Sequence, residues 1–138
     1  GRRRVQQGFH RLVHGASDER IERRFGTRAQ RVFFAGMARA FDPAMAGGFE
    51  GELMFRLTRR DGTATEWTIR VADGRARSRP GPAREPALTV TAATADFLRV
   101  LAGDANPATL LMDGRLKLRG DVELAPRLSE MFGGPSPY

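Results

Sequence analysis

A chain of 138 residues that is 41% apolar suits one domain with one core, and no apolar run reaches the ~18 residues of a membrane-spanning helix. Cysteine is absent, which excludes disulfides, thiolate zinc sites and a cysteine nucleophile. The formal net charge of +7 sits almost wholly in residues 1–31, which carry +6, so basic character belongs to an N-terminal arm and the rest of the chain is nearly neutral.

Residues 4–13 place Val5, Phe9, Leu12 and Val13 at helical spacing. Gly15 breaks the pattern, and Ser17 is suited to cap a short charged helix that runs to Phe25. Thr27 and Gln30 have the spacing of a capping box, in which hydroxyl and amide satisfy the orphan amides of a helix start. The helix they open carries Val32, Phe33, Met37, Ala40 and Phe41 on one face and stops near Asp42-Pro43.

After Gly47-Gly48 the apolar period changes from 3.6 to 2. Phe49, Gly51, Leu53, Phe55 and Leu57 alternate with polar or larger neighbours, the pattern of a strand with one buried face. Asp61-Gly62 marks a turn, and Trp67, Ile69 and Val71 form the buried side of a second strand. Asp73-Gly74 turns the chain into 75–79, a weak strand whose larger side chains are all charged. A proline-rich loop to Pro86 precedes a strand holding Leu88, Val90 and Ala92.

Thr94 opens a helix with Phe97, Leu98 and Leu101, and Asn106-Pro107 opens another with Leu110, Leu111 and Met112. Residues 115–119 alternate as a last strand. Gly120-Asp121 begins a final helix with Leu124, Leu128, Met131 and Phe132 on one stripe, and Pro126 is expected to shift its start or kink it. The sum is an α+β fold: about five strands in two groups, with helices before, between and after, and one face of the sheet covered by helices.

Little here suits catalysis. His10 and His14 are the only histidines, and both lie in the arm. They stand at i, i+4 on one helix face and could hold a metal edge-on, but the sequence offers no evident third ligand, and solvated histidines are the simpler reading. Dinucleotide and phosphate-loop glycine motifs are missing. Asp96 and Asp121 fall at helix starts, where capping accounts for them. The arm arginines favour polyanions, yet aromatic interleaving is confined to Phe9 and Phe25, so no nucleic-acid partner is expected. A basic amphipathic arm beside an apolar cavity would instead suit docking on an anionic membrane surface. The opening Gly1-Arg2-Arg3-Arg4 is not followed by a continuous apolar stretch, so a cytoplasmic protein is expected. Lys117 is the only lysine among 23 basic residues, a bias that fits a GC-rich, bacterial coding genome.

Several motifs together resemble the sterol carrier protein-2 family. They are Phe41-Asp42-Pro43, Gly48-Phe49-x-Gly51, Trp67-x-Ile69-x-Val71-x-Asp73-Gly74 and Pro86-x-Leu88-x-Val90. Further on come Asp96-Phe97, Gly103-x-x-Asn106-Pro107, Met112-x-Gly114, and Leu116-x-Leu118-x-Gly120-Asp121-x-x-Leu124-Ala125, followed by Leu128 and Met131-Phe132. Each is weak alone; their order and spacing over about residues 38–133 make the likeness specific.

The resemblance implies a twisted, mostly antiparallel five-stranded sheet with helices over one face and an apolar tunnel between the layers. It implies a non-enzymatic protein without cofactor for the binding or transfer of a fatty acid, fatty acyl-coenzyme A, phospholipid or sterol-like molecule. For a bacterial protein a fatty acyl ligand is the stronger expectation. Carried onto this chain, the lining is Phe41, Met45, Leu53, Phe55, Trp67, Ile69, Phe97, Leu101, Leu111, Met112, Leu124, Leu128, Met131 and Phe132, of which about half are expected to be core alone. The domains expected are an arm at 1–16, the lipid-binding domain at 17–133 and a tail at 134–138. The competing reading is an accessory or protein-interaction module of the same fold whose cavity is filled by side chains.

Overall fold

Five strands form one open sheet: β1 (Gly51–Thr58), β2 (Ala64–Ala72), β3 (Arg75–Pro80), β4 (Leu88–Ala93) and β5 (Leu116–Gly120), in the order β3-β2-β1-β4-β5. They are seen in a computed structural model that describes residues 8–11 and 13–133. Neighbours are antiparallel except β1 and β4, which run parallel. Asp73 and Gly74 both have positive φ (55° and 72°), the backbone of a tight hairpin turn joining β2 to β3.

Register sets the buried face. Phe55 lies opposite Trp67 on one side and Val90 on the other, and Leu53 lies between Ile69 and Leu88. Because side chains alternate across a strand, this pairing puts all six on one face, where every one is buried. The opposite face carries Glu52, Arg70 and Arg79, with Arg79 Nη1 3.0 Å from Glu52 Oε2. The loop after β3 folds across that face, where Thr68 Oγ1 donates to the Gly81 carbonyl.

Helices cover the apolar face. They are α1 (Asp18–Arg24), α2 (Thr27–Arg39), α3 (Thr94–Leu101), α4 (Pro107–Met112) and α5 (Leu128–Met131). Residues 8–11 and 13 are also helical; Val5, Leu12 and the arginines at 2–4, expected in that arm, lie outside the described residues, as does 134–138. Ser17 caps α1, accepting from the Arg20 amide, and Asn106 caps α4. No helix among the described residues is long and apolar enough to cross a membrane.

Three local expectations are corrected. Thr27 and Gln30 form no capping box: Gly26 is the cap of α2, and Gln30 turns into the core with no exposed surface. Asp96 does not cap α3, whose cap is Ala93; its buried carboxylate pairs with Arg115 instead. The final helix is not continuous either. Val122–Arg127 is a 3-10 helix and only Leu128–Met131 is α-helical, because Pro126 has no amide to donate into an α ladder. Asp121, by contrast, does cap this segment, accepting from the Glu123 amide.

Candidate functional site: an apolar cavity under the helices

The helical layer does not cover the sheet evenly. The long helix α2 packs over β2 and β3, α3 lies over β1 and β4, and the 3-10 segment 122–127 reaches β4 and β5. Between these elements lies a cavity of about 1140 Å³. Its floor is Phe55 of β1, Val90 and Ala92 of β4, and Leu116 and Leu118 of β5. One wall is α2, through Val32, Phe33, Gly36 and Met37. Facing it are Phe97, Val100 and Leu101 of α3 with Leu110 and Leu111 of α4, and the C-terminal segment supplies Val122, Ala125, Leu128 and Phe132.

Aromatic rings make the wall between α2 and α3 stiff. Phe33 meets Phe97 edge to face at 5.7 Å, Phe9 at 5.7 Å and the buried Phe34 at 4.9 Å. Gly36, in the interior of α2, lines the cavity with no side chain, and a Cβ built there meets nothing within 4 Å. A glycine at that position weakens the helix by about 1 kcal/mol relative to alanine, and here it leaves space.

Charged groups sit at two places in this lining. Asp96, 5% exposed, receives Arg115 through Nη2–Oδ1 at 2.6 Å and Nε–Oδ2 at 3.2 Å. Asp104, after α3, is exposed and has His10 Nδ1 2.9 Å from its Oδ1. No basic side chain belongs to the lining among the described residues.

Six of the fourteen residues expected to line the space do so: Phe55, Phe97, Leu101, Leu111, Leu128 and Phe132. The other eight lie elsewhere. Leu53, Trp67 and Ile69 are fully packed core on the side of the sheet where α2 sits, and Leu124 and Met131 are buried outside the cavity. Phe41 packs against Phe132 at 5.4 Å, behind the wall. Met45 and Met112 are exposed, Met112 to 87%, on the solvent side of their short helices. Strand periodicity assigns a face but not a lateral position under a helix, so Leu53, Trp67 and Ile69 share the face of Phe55 without bordering the cavity.

The lining also includes residues that the sequence reading left out: Val32, Phe33 and Met37 of α2, with Val90, Leu116 and Leu118. Their signal was present. The α2 apolar face is too wide for one contact, and Val32 is 66% exposed in the fold.

Residues 42–133, two thirds of the chain, match the SCP-2 sterol transfer family. The chain belongs to that family. Human "Sterol carrier protein 2" is 30% identical over 70 residues, 51% of this chain but only 13% of the human protein. Mouse "Peroxisomal multifunctional enzyme type 2" is 32% identical over 75 residues, 54% of this chain and 10% of that enzyme. This chain therefore corresponds to a small part of those curated relatives, and one of them is an enzyme of which the SCP-2 region is a fraction. The apo form of sterol carrier protein 2 from Yarrowia lipolytica superposes with a TM-score of 0.58 at 19% identity, covering 75% of this chain and 91% of that one. The mixed five-stranded sheet with helices is thus the SCP-2 fold, and the family is one of lipid binding and transfer.

Proposed function

We propose that this chain binds a lipid non-catalytically, with the lipid's acyl chain lying between α2, α3 and the C-terminal segment over β4 and β5. The observation that carries the reading is the cavity: about 1140 Å³, slightly above the ~300–1,000 Å³ typical of ligand pockets and lined mainly by apolar side chains. It supports a lipid site over an interior filled by side chains.

The driving force is removal of the chain from water, about 0.8 kcal/mol per methylene. A 16-carbon chain would gain roughly 12 kcal/mol on that scale, and association costs of ~4–15 kcal/mol bring affinity nearer micromolar than picomolar. The absence of cations from the described lining leaves the head group at the edge, so the tail dominates selection. Fatty acids, their coenzyme A esters and phospholipids are therefore all candidate ligands. Exposed Arg11, Arg20, Arg23 and Arg28 of the N-terminal region supply positive charge for contact with an anionic bilayer, worth ~1 kcal/mol each near the surface.

Mass spectrometry of gently extracted protein tests the reading. A non-covalent complex with host lipid is expected, and protein that stays empty and binds no palmitate in vitro would sink it.

A further inference from the structure

We propose that His10, His14 and Asp104 form a binding site for one divalent transition-metal ion of the zinc class, at the edge of the cavity. The fold supplies the third ligand that the sequence does not show. One ligand atom from each residue lies within 4.8 Å of the others, close enough to converge on a single ion. The two imidazoles lie one turn apart, with ring centroids separated by 4.7 Å. Asp104, 94 residues along the chain from His10, brings its carboxylate to 2.9 Å from His10 Nδ1.

A simple His10–Asp104 ion pair accounts for only two members. It leaves His14 tilted at 31° beside a second imidazole, with no side-chain hydrogen bond among the described residues. Shared coordination uses all three. Two imidazoles and one carboxylate are a nitrogen-rich set that suits zinc, cobalt or nickel and disfavours magnesium and calcium, which take oxygen ligands. All three residues are exposed, so an ion can enter and water can complete its shell. The site joins two separate pieces of chain. Phe9 precedes His10 and lines the cavity against Phe33, and Asp104 lines it from the other side. A bound ion would hold Phe9 in the wall.

The test is calorimetric titration of the full chain, purified without a histidine tag and stripped by chelator, with zinc chloride. Parallel titrations use His14→Gln and Asp104→Asn, whose exposed positions leave the core untouched. One ion per chain is expected, undisturbed by tenfold excess magnesium. Loss of an outer-shell partner alone commonly weakens a metal site ~10–100-fold, so His14→Gln should weaken binding by at least about tenfold. Asp104→Asn should weaken it measurably too. Absence of saturable binding overturns the site, as does parent-like binding by His14→Gln. Parent-like binding by Asp104→Asn also overturns it, since a histidine pair alone would then hold the ion. Should the Asn variant fold poorly, Asp104→Ser serves the same comparison.

Discussion

The indole Nε1 of Trp67 donates a 2.9 Å hydrogen bond to Oε1 of Gln30, which has no exposed surface. The Gln30 Nε2 donates in turn to the Phe25 carbonyl at 2.9 Å. One amide thus satisfies two buried groups and ties α2, the turn before it and the sheet together. Gln30→Leu should leave the indole donor and the Phe25 carbonyl without partners, at ~1–3 kcal/mol each. A loss of at least about 2 kcal/mol in urea unfolding is expected. A change below about 0.5 kcal/mol would show that the network is not structural.

Gly36 offers a way to close the cavity without breaking the fold. Gly36→Leu removes a helix-weakening residue and projects a side chain into space that is empty up to 4 Å around the Cβ. Unfolding stability should stay level or rise by up to about 1 kcal/mol, while palmitate affinity falls at least about tenfold. Unchanged affinity would place the lipid elsewhere.

Tail-dominated binding predicts a ladder of affinities. Each added methylene should tighten binding up to about fourfold until the cavity is full, from ~0.8 kcal/mol per group. A fatty alcohol should bind at least as well as the acid of equal length, because the described lining holds Asp96 and Asp104 but no cation. Competition titrations would check both, and a strong preference for the carboxylate would contradict the proposed orientation.

Gly120 ends β5 with φ of 101°, and a Cβ there would collide with the Ala87 carbonyl, which accepts from the Asp121 amide at 2.7 Å. Neither backbone segment can retreat without breaking that bond. Gly120→Ala should cost at least about 2 kcal/mol by thermal or urea unfolding.

The Asp61 carboxylate accepts from the Thr63 hydroxyl at 2.6 Å and from the Thr63 amide at 2.8 Å, and these bonds hold its pKa below the ordinary aspartate value. A depressed native pKa stabilises the fold above the unfolded-state value, and the contribution is lost as pH falls through the native one. In Thr63→Ala the Asp61 pKa should move back towards normal, as followed by carboxyl NMR titration.

Much of this fold is legible in the sequence because its signals are local. Alternation at Leu53-Phe55-Leu57 and the Asp73-Gly74 turn define strands and a hairpin from a few neighbours. The parallel β1–β4 pairing is invisible at that scale, since it joins residues about 35 positions apart, such as Phe55 and Val90. Gln30 shows the same limit: its spacing from Thr27 fits a cap, and only the arrival of Trp67, 37 residues later, draws the amide inward. The cavity is a property of where α2 lies across the sheet. Apolar spacing identifies Trp67 and Phe55 equally well, and Phe34 of α2 meets both rings, yet only Phe55 borders the cavity.

The outermost ladders of the sheet, β3 and β5, present Arg75, Arg77, Arg79, Lys117 and Arg119. A second molecule adding a strand at either margin would set guanidinium or ammonium groups side by side along the new seam. Repulsion there opposes sheet-to-sheet fusion, whichever margins meet. The charged margins thereby oppose the fibrous self-association that exposed strand backbone invites.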